Sequence, residues 1–137
     1  MSDAVSEPQL RGLAPVLLVA DVVRAARYYD DKLGFRAPRL WGEPPIFGIA
    51  RRDGLSVMLN QVAAGDRLYP NAGYDGRYDV YFWVRDADAL FAELGARGAD
   101  IVCAPADQPY LMREFSVRDA DGHLLAFGHD ISAGAAG

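Results

Sequence analysis

The feature that most restricts the fold of this chain is that its pattern is written twice. Val16-Leu17-Leu18-Val19 is a short apolar run bounded by Pro15 and Asp21, which predicts a buried strand. Asp21 is placed to cap a helix. Val22, Ala25, Ala26, Tyr29 and Leu33 then follow helical spacing, and Gly34 closes the helix. Phe35 opens a short strand, and the loop Gly42-Glu43-Pro44-Pro45 follows. Ile46 to Ile49 and Leu55 to Leu59 flank Asp53-Gly54, a hairpin signal. The order then returns. Val80 to Val84 is a strand, and Asp86 caps a helix carrying Leu90, Phe91 and Leu94 that ends near Gly98. Ile101 to Cys103 is a short strand, and Glu114 to Val117 and Leu124 to Phe127 form a hairpin joined at Asp121-Gly122. Val19 and Asp21 recur as Val84 and Asp86, 65 residues on (84 − 19 and 86 − 21), while the turns differ by 68 (121 − 53).

Each half therefore reads strand, helix, three strands. One such half cannot cover both faces of its sheet. Two can make an α+β domain: two βαβββ modules forming a curved mixed sheet, with helices outside and a concave cup inside. A ferredoxin-like domain with extra strands would share the order. The boundaries expected are a single domain over residues 13–131, with modules 13–60 and 78–131 and a connector 61–77. The connector carries Gly, Pro, Asn and Asp without periodicity and is long enough to act as a lid. Residues 1–12 are mostly polar and 132–137 nearly all Ala and Gly, so both ends are expected to be flexible.

Length and charge narrow the function classes. A chain of 137 residues buries roughly two-thirds of its unfolded surface and needs no staples. The net charge of −5 argues against nucleic acid or an anionic membrane as partner and suits a neutral or cationic small ligand. The start, Met1-Ser2-Asp3-Ala4, lacks the pattern of a signal peptide, and no apolar run approaches the ~20 residues of a membrane helix; a cytoplasmic location is expected. The single cysteine, Cys103, has no internal partner and is expected as a small buried hydrophobe.

Three stretches, taken in order, resemble one family. They are Pro15 to Asp21 with Ala26-Arg27-Tyr28-Tyr29 and Leu33-Gly34-Phe35; Phe82 to Asp86 with Glu93 to Ala99; and Arg113 to His123. Together they resemble the glyoxalase/bleomycin-resistance/extradiol dioxygenase (vicinal oxygen chelate) superfamily, over nearly everything from Ala14 to Asp130. The resemblance implies the two-module fold. It does not fix the chemistry, because the superfamily hosts several.

Enzymes of that superfamily hold one divalent metal through four strand positions, usually His, Gln or Glu. Carried over singly, those positions are Ala14, Met58, Asp79 and Ala126. Alanine has no donor atom and a thioether is a soft one, so no metal and no other cofactor are expected. His123 and His129 have a strand parity opposite to Ala126, which points them away from the cup and predicts surface histidines.

The cup contents point to binding. Alternation places Asp79, Tyr81 and Trp83 on one face, Ser56, Met58 and Asn60 on another, and Leu124 and Ala126 beside Glu114 and Ser116. Phe115, Val117, Leu125 and Phe127 face the helices. Trp41, Phe47 and Tyr110 are placed to wall the cup. Stacking and cation–π contacts would attract a flat or cationic ligand. Asp79 could meet such a ligand or pair with Arg113. These features resemble the bleomycin-resistance-type binding proteins, which sequester a molecule without modifying it, and that likeness implies a homodimer with modules of two chains building paired grooves. No catalytic residue is assigned, and binding is favoured over catalysis. The alternatives are a metal-dependent glyoxalase, extradiol dioxygenase or thiol transferase, and a metal-free isomerase or lyase using Asp79 or Glu114 as general base.

Overall fold

The computed structural model describes residues 8–132; the outer parts of both expected flexible ends, 1–7 and 133–137, lie outside the described residues. The first module runs β1 (Val16–Val19), α1 (Val22–Leu33), β2 (Arg36–Trp41), β3 (Phe47–Arg52) and β4 (Leu55–Gln61). The second runs β5 (Val80–Trp83), α2 (Ala87–Arg97), β6 (Asp100–Asp107), β7 (Met112–Arg118) and β8 (Leu124–Asp130). A single 3₁₀ turn, Asn71–Gly73, interrupts the connector.

The helices are built by the same devices. Asp21 accepts from Arg24 N at 3.1 Å and Asp86 from Ala89 N at 3.0 Å, each satisfying an amide of its helix's first turn. Gly34 (φ 75°) and Gly98 (φ 85°) end them in the left-handed region.

The sheets repeat as well, in the orders β1-β4-β3-β2 and β5-β8-β7-β6. In each, the first and last strands of the module pair in parallel and the rest antiparallel. The curved sheet expected from the repeat is thus two four-stranded sheets that no strand pairing joins. One core runs through both modules. It holds Val19, Val22, Tyr29, Leu33, Val57 and Leu59 from the first, and Leu94, Phe115, Val117, Leu125 and Phe127 from the second. Burying each large apolar side chain contributes about 1.5–3 kcal/mol.

The modules meet at two joints related by the repeat. At one, the turn between β7 and β8 sits on the end of β1 and on α1. Asp121 accepts from Ala20 N (2.9 Å), Arg24 donates to Ala120 O (3.2 Å), Tyr28 donates to Arg118 O (2.8 Å), and Tyr29 donates to Asp119 (2.8 Å). His123 belongs to this joint. Its parity is as expected, toward the helices, but the surface position is not: the joint covers it to 5% exposure, and Nε2 donates to Leu18 O at 2.8 Å. Its Nδ1 has no hydrogen-bond partner and lies 3.8 Å from Asp79 Oδ1. His129 accepts the amide of Ala87 on Nδ1 (2.8 Å), so it caps α2. At the second joint, the turn between β3 and β4 reaches α2 through Arg52, which pairs with Glu93 at 2.7 Å.

Cys103 departs from expectation. It lies on β6, the outer strand of its sheet, and its side is exposed. An edge strand has no neighbour beyond it to cover that position.

Candidate ligand-binding site

The nine residues singled out from the sequence fall into two groups, one on each sheet. On the first sheet, Met58 stands opposite Val16 and Ile49, and Asn60 opposite Leu18 and Phe47. Phe47 in turn stands opposite Trp41, with ring centroids 5.5 Å apart, and the Arg39 guanidinium lies 5.0 Å over the Trp41 ring. Met58, Asn60, Phe47 and Trp41 therefore share one face, and Val16 and Leu18 on that face are about half exposed (53% and 47%).

On the second sheet, Tyr81 stands opposite Ala126, Trp83 and Glu114 opposite Gly128, and Cys103 opposite Ser116. The centre of this face is Glu114, only 3% exposed. Three phenols converge on its carboxylate. Tyr78 donates to Oε2 at 2.6 Å, Tyr110 to the same oxygen at 2.7 Å, and Tyr81 to Oε1 at 2.8 Å. They come from the stretch just before β5, the β6–β7 turn and β5 itself. Burial first, then the bond to Glu114 and its charge, pushes the Tyr110 hydroxyl up to about 12 and those of Tyr78 and Tyr81 higher still. All three are neutral donors at physiological pH. Among the described residues no cation forms an ion pair with Glu114; the adjacent Arg113 is held by Asp88 (2.9 Å) and Asp107 (3.0 Å).

Gly128 makes the cluster possible. A Cβ there would overlap the Tyr81 hydroxyl and lie 3.0 Å from its Cζ, so only glycine lets the ring cross β8 to reach Glu114. Trp83 extends the aromatic surface, 6.0 Å from Tyr81 and 79% exposed. Tyr110 is also largely exposed.

Asp79 is at the edge of this group and is occupied. Its Oδ1 accepts from Asn71 N and its Oδ2 from Leu124 N, both at 2.8 Å, so it fastens the connector to the start of β8. The pairing with Arg113 considered from the sequence does not form.

The four metal positions of the superfamily do not suit a metal here. Met58 is on β4 of the first sheet and Ala126 on β8 of the second, Ala14 precedes β1 and Asp79 precedes β5, and the one carboxylate among them is spent on two backbone amides. Among the described residues no three His, Cys, Asp or Glu side chains gather to hold an ion.

Three contributors were not foreseen: Tyr78, Gly128 and Cys103. Gly128 carries a readable signal, since a glycine inside a strand marks a close approach. Tyr78 lies before β5 and outside any strand, where no alternation rule assigns a face.

Two mixed sheets from two βαβββ modules, each backed by its helix, define a two-module α+β fold. The sequence profile of the Glyoxalase/Bleomycin resistance protein/Dioxygenase superfamily matches residues 12–127, and the chain belongs to that superfamily. No curated protein matches it in sequence. Among solved structures it is similar to TioX from Micromonospora sp. ML1 (26% identity, TM-score 0.69, 88% of this chain and 98% of that one). It is also similar to the bleomycin-binding protein of Streptomyces verticillus, solved with copper(II)-bleomycin (24% identity, TM-score 0.67, 88% and 97%). A glyoxalase-related enzyme from Clostridium phytofermentans shares the fold at 17% identity (TM-score 0.72, 89% and 96%).

Proposed function

We propose that this protein binds and sequesters a small amphipathic or cationic molecule without modifying it, and that it does so as a homodimer. The observation that carries the reading is the buried carboxyl group of Glu114, which accepts hydrogen bonds from three phenol hydroxyls and forms no ion pair with a cation among the described residues. A negative charge set among tyrosine and tryptophan faces favours a cation, through Coulomb attraction and through the rings. The donor set at the metal positions gives a metal-dependent glyoxalase or dioxygenase reaction little to work with. A bleomycin-binding protein is built on the same fold.

The dimer follows from what each face lacks. Within one chain the two sheets are unjoined, and both concave faces carry exposed apolar side chains, Val16, Leu18 and Trp41 on one and Trp83, Tyr110 and Leu111 on the other. We infer that the first-sheet face of one protomer covers the second-sheet face of its partner. Two equivalent cups result, with Met58, Asn60, Phe47 and Trp41 closing over Glu114, Tyr81 and Trp83 of the other chain.

The test is calorimetric titration with planar aromatic cations, acridinium and phenanthridinium dyes, beside their uncharged isosteres. Cations should bind more tightly. Glu114→Gln, which keeps the shape and removes the charge, should weaken them by about tenfold. Equal affinity for charged and uncharged partners, or release of a chemically altered dye, would refute the reading. Native mass spectrometry should show a dimer.

A further inference from the structure

The two inter-module joints are equivalent by the repeat but differ in how they are filled. Register makes Arg52 the counterpart of Asp119, Asp53 of Asp121 and Leu55 of His123. The end of β5, Trp83 to Asp86, corresponds to Leu18 to Asp21. At the first joint Asp121 and His123 hydrogen-bond the backbone of Ala20 and Leu18 and close the gap. At the second, Asp53 turns instead to Arg52 (3.5 Å) with its side chain 85% exposed, and Leu55 is 53% exposed. Among the described residues the 52–55 turn makes no hydrogen bond to Trp83–Asp86. A groove of about 630 Å³ is left between them.

The groove has a definite chemistry. Its floor is Phe35, Phe82, Phe127 and Leu90. Phe82 lies parallel to Phe127 at 4.9 Å, and Phe35 meets Phe82 edge-on at 6.1 Å. A flat ring entering here extends an existing aromatic stack. The rim carries charges of both signs, and most are committed. Arg52 takes Glu93 and Asp53, and Asp86 accepts the Ala89 amide. Arg85 is the rim cation with no ion pair among the described residues, and Asp86, which has none either, is held by its capping bond. The volume falls in the range of small-molecule sites.

We propose that this open joint, which touches the Glu114 face only at Trp83, is a second binding site, for a planar aromatic molecule bearing a carboxylate. The ring lies on the phenyl floor and the carboxylate meets Arg85. This site prefers an anion, where the Glu114 face prefers a cation, so its fate is independent of the proposed function.

Biphenyl-4-carboxylate and its uncharged amide are the probes, followed by amide chemical shifts on the full chain. The acid should perturb Phe82, Arg85 and Leu90 saturably at submillimolar concentration. The uncharged amide and Arg85→Glu should each bind about tenfold more weakly, as loss of a charge-assisted pair requires. Leu90→Trp should fill the groove and abolish binding, while Glu114→Gln should leave it unchanged. Arg85 is exposed, so Arg85→Glu keeps the test valid if the Leu90 variant misfolds. Equal binding of acid and amide, perturbations confined to the Tyr81–Glu114 face, or no saturable shift at roughly millimolar probe would overturn the proposal.

Discussion

Tyr29→Phe removes one oxygen from the closed joint and leaves the ring packing in place. Tyr29 is fully buried, its hydroxyl lies 2.8 Å from Asp119 Oδ2, and Asp119 is only 5% exposed. The other carboxylate oxygen is already used, accepting from Asp121 N and His123 N. Oδ2 therefore loses the single partner it has among the described residues. A buried hydrogen bond to a charged acceptor contributes about 1.5–3 kcal/mol. For a chain of this size that is a fall in melting temperature of roughly 5–10 °C. The pH dependence carries a second, sharper expectation. Burial raises Asp119 above the ordinary carboxylate value of 3.8, against the charge of His123 and the bonds from Tyr29, Asp121 and His123, which lower it. With the folded value raised, the fold gains stability as pH falls through it, and that gain is lost again as pH rises. Removing the Tyr29 bond raises the folded value further. The deficit of the variant is therefore largest near neutrality and shrinks on acidification, as the carboxyl becomes neutral. Urea unfolding followed by circular dichroism at pH 7 and pH 4.5 measures both. A deficit below about 0.5 kcal/mol at pH 7, or one that grows on acidification, would refute the reasoning.

Gly128→Ala should displace Tyr81 from Glu114, because the new methyl overlaps the phenol. The fold survives, cation affinity falls by about tenfold, and a crystal structure of the variant should show Glu114 with two phenol partners rather than three. Asp79→Ala removes the acceptor for the Asn71 and Leu124 amides. Hydrogen exchange at those two amides should accelerate, with a stability loss of about 1–3 kcal/mol; unchanged protection would show that the connector is fastened elsewhere.

Much of this fold was legible because the repeat supplied two readings of each element. The caps Asp21 and Asp86, the stops Gly34 and Gly98, and the helix-facing set Phe115, Val117, Leu125 and Phe127 follow from local rules and all hold. What escaped was set between modules. Parity put His123 on the correct face, but no periodicity says that β1 of the other module lies on top of it. Cys103 was misplaced because an apolar run does not reveal that its strand is outermost in the sheet. The site was legible in part. Alternation brought Tyr81, Trp83 and Glu114 to one face. It could not show that Asp79 is consumed by backbone amides, nor that Tyr78 and Tyr110, both outside strands, swing in to share one carboxylate oxygen.

The repeat also explains why a dimer of this chain would pair unlike faces. Matched through register, Val16 corresponds to Tyr81, Leu18 to Trp83, Phe47 to Glu114, Ile49 to Ser116 and Asn60 to Gly128. The first-sheet face carries aliphatic and aromatic groups with Asn60 and Arg39 among them; the second carries an acid with its phenols. Two first-sheet faces set together would bring their Arg39 guanidinium groups toward each other and enclose no acid to balance them. Two second-sheet faces would bring two Glu114 charges toward each other with nothing to balance them, which is costly in a dry interior. The unlike pairing would avoid both outcomes, placing the apolar side chains of one face over the acid cluster of the other. In such a dimer, divergence between the halves would turn a repeated scaffold into a cup with a floor and a lid.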